Sequence, residues 1–299
     1  MKLSAACGAW AGGLLAVALV AAALLQISRA SAEAMAMIQQ LSPAVWIGFV
    51  LLYLTQPVAD MVIFRRLWRL PLKGFGVILR KVVINEVLFG YSGELYFYVW
   101  AKRQPGLSEA PFGAVKDVNI LSALAGNVLT LVMLLISTFA LPGVSLEHEL
   151  GPALWPGLGV VALSFCVMFF SRKVFSLTRA ELWFVARIHA LRLLVFSCLT
   201  LLVWHLALPD VALGVWLVLL TSRLLLARLP FVANKDLVFA NVVLVLFGTG
   251  STTALLLATL AIATLALHLA VVAVVSTPVV LQIVAKAARR LGMGNKPAT

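Results

Sequence analysis

Long apolar runs separated by short polar breaks fill this chain, at residues 5–27, 43–64, 118–141, 153–170, 188–208 and 211–229. A helix needs about 20 apolar residues to cross the hydrocarbon core of a bilayer, so each run predicts a membrane-spanning helix. The apolar stretch 231–284 is interrupted at Gly248-Thr249-Gly250-Ser251 and reads as two further spans, the second tilted or kinked by Pro278. The run 82–100 differs from these. It holds Asn85, Glu86, Gly90, Ser92, Gly93 and Glu94 near its centre, too polar for a helix facing lipid. The pattern predicts an all-α, polytopic integral membrane bundle of about eight transmembrane helices in a single domain, 1–299. It adds a re-entrant or broken helix near 82–100 and a second broken element near 229–240.

Charge order fits this layout, because Lys and Arg concentrate in cytoplasmic loops. Segment 65–81 carries Arg65, Arg66, Arg69, Lys73, Arg80 and Lys81, and the segment after the fourth span carries Arg172, Lys173, Arg179 and Arg187. Between them, 142–152 has Glu147 and Glu149 and no Lys or Arg. Segment 102–116 is again basic, and it shares a side with 65–81 only if 82–100 enters the membrane and turns back. Eight crossings then put both termini on the cytoplasmic side of a plasma (inner) membrane, with Lys2 at one end and Lys286, Arg289, Arg290 and Lys296 at the other. The run 5–27 precedes an Ala30-Ser31-Ala32 triplet, but it exceeds the about 7 to 15 apolar residues of a signal peptide and reads as a retained helix.

Composition narrows the function classes. The 299 residues are 63% hydrophobic and 11% charged, with a mean hydropathy of +1.08, which excludes a water-soluble enzyme. An excess of 23 Lys+Arg over 11 Asp+Glu, net +12, points to anionic membrane lipid as partner, and no nucleic-acid module accompanies it. Cys7, Cys166 and Cys198 are scattered through apolar runs, and His148 between Glu147 and Glu149 lacks ligand spacing, so neither a disulfide framework nor a metal site is predicted. Nucleophile motifs, P-loops and dinucleotide fingerprints are absent from the sequence, so no cofactor is expected.

Two short segments echo each other 142 residues apart: Ser92-Gly93-Glu94-Leu95-Tyr96-Phe97 and Asn234-Lys235-Asp236-Leu237-Val238-Phe239. Each interrupts an apolar stretch with an acidic residue. Paired broken helices of this kind build transporter sites at mid-membrane, which makes 43–141 and 188–285 candidate repeat halves. Two unrelated helix starts, each with an acidic residue suited to the helix dipole, would look the same. If the breaks are real, unwound backbone at that depth must line a protein interior or a wet cavity, where helix N-termini could meet a phosphate.

The stretch Asn85-Glu86-Val87-Leu88-Phe89-Gly90-Tyr91-Ser92-Gly93-Glu94-Leu95-Tyr96, then Arg103 and Pro105-Gly106-Leu107-Ser108, resembles the first signature of the lysylphosphatidylglycerol synthase transmembrane (flippase-like) family. Lys116-Asp117 opens the span that follows, and Leu229-Pro230-Phe231 to Asp236 resembles the second signature. The chain departs from the pattern with Gly90-Tyr91-Ser92 where family members carry Pro, Phe97-Tyr98 where they carry Arg, and Ala233-Asn234-Lys235-Asp236 in place of a Gly-rich turn. The resemblance implies a stand-alone member, without a soluble aminoacyl-transferase domain, that moves an anionic phospholipid or lipid-linked phosphate between leaflets. The candidate binding or translocation residues are Asn85, Glu86, Gly93, Glu94, Arg103, Lys116, Asp117, Arg223, Lys235 and Asp236.

Other residues carry narrower expectations. Arg223 lies deep enough in its span to need a partner among Glu86, Glu94 and Asp236, whereas Arg228 is expected to snorkel to the membrane edge. Asp60 is expected to pair with Arg65 or Arg66, with a proton-coupling role as the alternative. The segment from Phe64 to Leu70 suggests either an interfacial basic and aromatic element or a topology anchor. His189, His205 and His268 read as hydrogen-bonded bundle residues. Two further functions stay open: a membrane-embedded transferase taking a lipid or polyprenyl-phosphate donor at Arg103 and Lys116, with Glu94 or Asp117 as general base, and a non-catalytic scaffold for lipid or envelope synthesis.

Overall fold

A computed structural model of the chain describes residues 32–87, 91–104, 111–140, 175–228, 234–248 and 250–290, with isolated positions 159 and 162. The expected spans 5–27 and 153–170, the acidic segment 142–152, and the signature residues at 88–90, 105–110 and 229–233 lie outside the described residues.

Every described element is helical. In chain order these are α1 (Ala32–Gln40), α2 (Pro43–Trp68), a 3-10 turn (Leu72–Gly74), α3 (Phe75–Val87), α4 (Ser92–Lys102), α5 (Pro111–Ala140), α6 (Arg179–Ala207), α7 (Leu213–Ala227), α8 (Lys235–Phe247) and α9 (Thr252–Arg290). Among the described residues four segments are long and apolar enough to cross a membrane: Pro43–Trp68, Phe112–Ser137, Arg179–Ala207 and Thr252–Val275. Of the eight expected spans, 5–27 and 153–170 lie outside this set, and 211–229 and the first part of 231–284 hold the shorter helices α7 and α8.

Local chemistry explains the boundaries. Pro43 occupies the first turn of α2, where its missing N–H costs nothing. The helix ends where Arg69 turns left-handed (φ 52°) and Pro71 follows. Helix α6 starts at Arg179, well before the apolar run at 188, because Thr178 and Glu181 form a capping box. Run 82–100 is two helices: α3 reaches back to Phe75, and the chain breaks before α4 at Tyr91, which is left-handed (φ 74°). Arg80 and Lys81 are therefore helical residues of α3 and no part of a loop. Run 211–229 holds only the 15 residues of α7, about 22 Å long and short of a bilayer core of about 30 Å.

The helices follow the order long, short, short, long twice: α2, α3, α4, α5 and then α6, α7, α8, α9. Helices α2 and α6 pack antiparallel, with Gly48 facing Val203 near one end and Phe64 sharing a buried cluster with Val185 near the other. The first short helix of each set packs antiparallel on the last long helix of the other. On one side Val83 and Val87 of α3 meet Val271 and Val272 of α9, and the Arg80 guanidinium donates to the Val275 carbonyl. On the other, Ser137 of α5 bonds Thr221 of α7 at 2.7 Å while Gly126 faces Arg228.

Two buried clusters mark the ends of the bundle. One joins the C-terminal end of α2, the outer ends of α3 and α4 and the starts of α5 and α6 around Phe64, Ile78, Phe97, Val115 and Val185. The other joins the start of α2, the far ends of α5 and α6, α7, α8 and the start of α9 around Phe49, Met133, Trp204, Trp216 and Leu256. Arg65, Arg66, Arg69, Lys73, Lys102, Arg103, Lys116, Arg179 and Arg187 all belong to the first end. The second end carries Glu33 and Asp210 and, among the described residues, no Lys or Arg.

Candidate functional site

The first helix break is held by its own side chains. Asn85, in the last turn of α3, accepts the Gly93 N–H on Oδ1 at 2.7 Å, and the Ser92 hydroxyl donates to the Ile84 carbonyl at 3.0 Å. Helix α4 thereby doubles back along α3. A Cβ at Gly93 would collide with the Lys81 carbonyl, so this close crossing requires glycine. The crossing brings Lys81 of α3 to Glu94 in the first turn of α4, at 3.5 Å. Behind it, Asp60 of α2 takes the same ammonium at 2.8 Å and also accepts from Gln56 at 2.9 Å.

The second break is arranged alike. Arg223 of α7 donates from Nε and Nη2 to Asp236 Oδ1, at 3.0 and 2.7 Å, in the first turn of α8. The Lys235 ammonium donates to the Ala227 carbonyl at the end of α7, at 2.8 Å. Asn234 ahead of α8 is left-handed (φ 48°), as Tyr91 is ahead of α4. The 142-residue offset between Glu94 and Asp236 also separates Lys81 from Arg223, so both cation–carboxylate pairs join first short helix to second at the same spacing. The two breaks touch: the Asn234 N–H donates to the Glu86 carbonyl at 2.8 Å.

Around that contact lies a cavity of about 420 Å³. Of the residues expected from sequence, it collects Asn85, Glu86, Glu94, Arg223, Lys235 and Asp236 in its wall. Helix α5 adds Asn119, Ser122 and Asn127, α6 adds Arg192, the end of α7 adds Arg228, and Tyr53 and His268 share a hydrogen bond of 2.9 Å at another edge. Five cationic and three carboxylate side chains face one space, enough polarity to solvate a charged group between the helices.

Other expected residues lie elsewhere. Gly93 sits beneath the turn as its structural pivot. Arg103 is exposed at the C-terminal end of α4. Asp117 is buried and accepts the Ser176 and Leu177 N–H groups at 2.6 and 2.7 Å, with Lys116 beside it at 3.4 Å, so this pair anchors the approach to α6. Of the residues expected at a transferase's donor site, Lys116 and Asp117 lie together at the start of α5, while Glu94, the other expected general base, is held by Lys81 at the cavity.

Asp60 pairs with Lys81 and not with the exposed Arg65 or Arg66. Arg228 lies inward against Gly126 and does not snorkel outward. Phe64, Trp68, Phe97 and Trp100 stack with one another, so Phe64 and Trp68 are core residues, unlike an interfacial element whose aromatic rings face lipid. Among the described residues no cluster of His, Cys, Asp and Glu could hold a metal, Cys198 is exposed, and Cys7, Cys166 and His148 fall outside them.

Sequence reasoning passed over two charged members of the wall, along with the polar Tyr53, Asn119, Ser122 and Asn127. Lys81 was legible as the residue 142 before Arg223, and Arg192 as an arginine inside an apolar run. Comparisons with family models, with curated proteins and with solved structures find no match to this chain.

Proposed function

We propose that the protein is a flippase-like membrane protein that carries the polar headgroup of a phospholipid or lipid-linked intermediate between leaflets, as its resemblance to the lysylphosphatidylglycerol synthase transmembrane family implies. One observation carries the reading: two broken-helix pairs, reaching inward from opposite ends of an inverted arrangement, meet at a charged cavity. Inverted sets of this kind place a polar substrate near mid-depth, where rocking of one set against the other exposes it to each face in turn. A volume of about 420 Å³ suits a headgroup, while the acyl chains stay in lipid. On this reading the basic end faces the cytoplasm of a plasma (inner) membrane, in keeping with the positive-inside rule.

The test is leaflet-resolved transfer of fluorescent anionic and cationic phospholipids and a labelled polyprenyl phosphate in liposomes holding the full chain. Accelerated transfer is expected for at least one lipid. Glu94→Gln, Asp236→Asn and Arg223→Leu should each slow it about tenfold or more while leaving insertion intact. No acceleration for any lipid would overturn the reading and turn attention to a transferase or scaffold.

A further inference from the structure

The cations of the cavity are not equivalent. Lys81 and Arg223 hold carboxylates, and Lys235 holds the Ala227 carbonyl. Arg192 and Arg228 hold neither. Arg192 reaches from α6 to the Ser122 hydroxyl with Nη2 at 3.3 Å, and its Nε is sealed from solvent without an acceptor. Arg228 closes the C-terminal end of α7 with its guanidinium against Gly126, and its Nε is likewise sealed and unmatched. Neither arginine has a carboxylate within ion-pair distance among the described residues.

Ser122 and Gly126 lie one turn apart on one face of α5, about 6 Å along its axis, so the two guanidinium groups meet the same stretch of that helix. Asn119 and Asn127 of the same helix line the cavity there. Two like charges facing one cavity, neither in a direct ion pair among the described residues, are costly, and the cost falls when an anion sits between them. The guanidinium fork matches the paired oxygens of carboxylate and phosphate alike, and a phosphate, with more than two oxygens, can engage two forks at once.

We propose that Arg192 and Arg228 form an anion subsite in the cavity that takes the phosphate of a phosphate-bearing ligand. Ser122, Asn119 and Asn127 offer donors to its remaining oxygens. The subsite deepens the transport reading, and it rests on that reading only in treating the cavity as a ligand site.

Calorimetric titration of the full chain in detergent, with dioctanoyl phosphatidate, dioctanoyl phosphatidylglycerol, dioctanoylglycerol and inorganic phosphate, tests it. Saturable binding of the phosphate compounds and not of dioctanoylglycerol is expected. It should weaken about tenfold or more in Arg192→Gln and in Arg228→Gln. Gly126→Ala should weaken it similarly with both charges kept, because the new methyl displaces the flexible end of Arg228, and this variant serves if the glutamines fold poorly. Lys73→Gln, in the exposed turn after α2, should leave affinity unchanged.

Tighter binding of the lipids identifies a headgroup as the ligand, and tighter binding of inorganic phosphate identifies a soluble anion; either supports the subsite. Equal affinity for phosphatidate and dioctanoylglycerol, or full binding by folded Arg192→Gln and Arg228→Gln, overturns it. The liposome assay separates the two ideas. Phosphate binding without lipid movement overturns transport alone, and lipid movement indifferent to both arginines overturns the subsite alone.

Discussion

Lys81 shows how much one buried charge can organise. Its ammonium joins three helices through Asp60 and Glu94, and the Lys81 and Asp60 side chains are only 3% and 1% exposed. Removing it leaves carboxylates unpaired in the interior, so Lys81→Met should cost about 3–5 kcal/mol in detergent-titrated unfolding. Lys81→Met with Asp60→Asn should recover part of that loss. The Arg223–Asp236 pair is 17% and 31% exposed, and Arg223→Met should cost only about 1 kcal/mol in the same titration.

Asp117→Ala strips two backbone N–H groups ahead of α6 of their acceptor and should cost about 2–3 kcal/mol, while liposome transfer by the folded fraction stays at the wild-type rate. At this scale sequence reasoning found the acidic residues and Arg223 but mispaired Asp60. Five or six residues along a helix turn a side chain by roughly 120–140° to another face, so Arg65 and Arg66 point outward while the true partner waits on α3.

Among the elements, the α3–α4 break tests the packing most sharply. Gly93 lies against the Lys81 carbonyl, and backbone cannot swing aside as a side chain can. Gly93→Ala should therefore unseat α4 and cost about 3 kcal/mol or more, read as lost thermal stability and poor accumulation in membranes. The interruption at 82–100 was legible because Asn85, Glu86, Ser92, Gly93 and Glu94 spoil a lipid-facing helix. The brevity of α7 was not, because Leu224, Leu225 and Leu226 keep the run apolar up to its break and hydropathy reports composition and not where a helix stops. Starts of helices were missed for the converse reason: charged residues such as Arg179 and Glu181 sit in helix beyond the apolar run.

For the whole molecule, the doubled order of long and short helices predicts a shared face for two distant positions. Gln104 follows α4, and Ser176 touches Gly113 and Lys116 at the start of α5. In a background with its cysteines replaced, Gln104→Cys and Ser176→Cys should both react with a membrane-impermeant thiol reagent from the cytoplasmic side. Labelling from opposite sides would break the hairpin layout. The sequence announced the doubling only through a six-residue echo, since packing constrains where helices run far more than which apolar residue fills each position. That the two sets run antiparallel was legible in charge order, since run 43–64 ends at the basic segment 65–81 while run 188–208 begins after Arg179 and Arg187, and the contact of Gly48 with Val203 agrees.

The inverted pairing leaves a question of biogenesis that the shape itself cannot answer. The two sets share one order of long and short helices and run in opposite directions, so the helices themselves mark neither end for an insertion machine. Equivalent connections differ instead: the turn from α2 to α3 bears Arg69 and Lys73, whereas the turn from α6 to α7 bears Asp210. By the positive-inside rule the basic residues of one end should set which way up the protein enters its membrane, and neutralising them is expected to yield a population inserted both ways, read by protease protection.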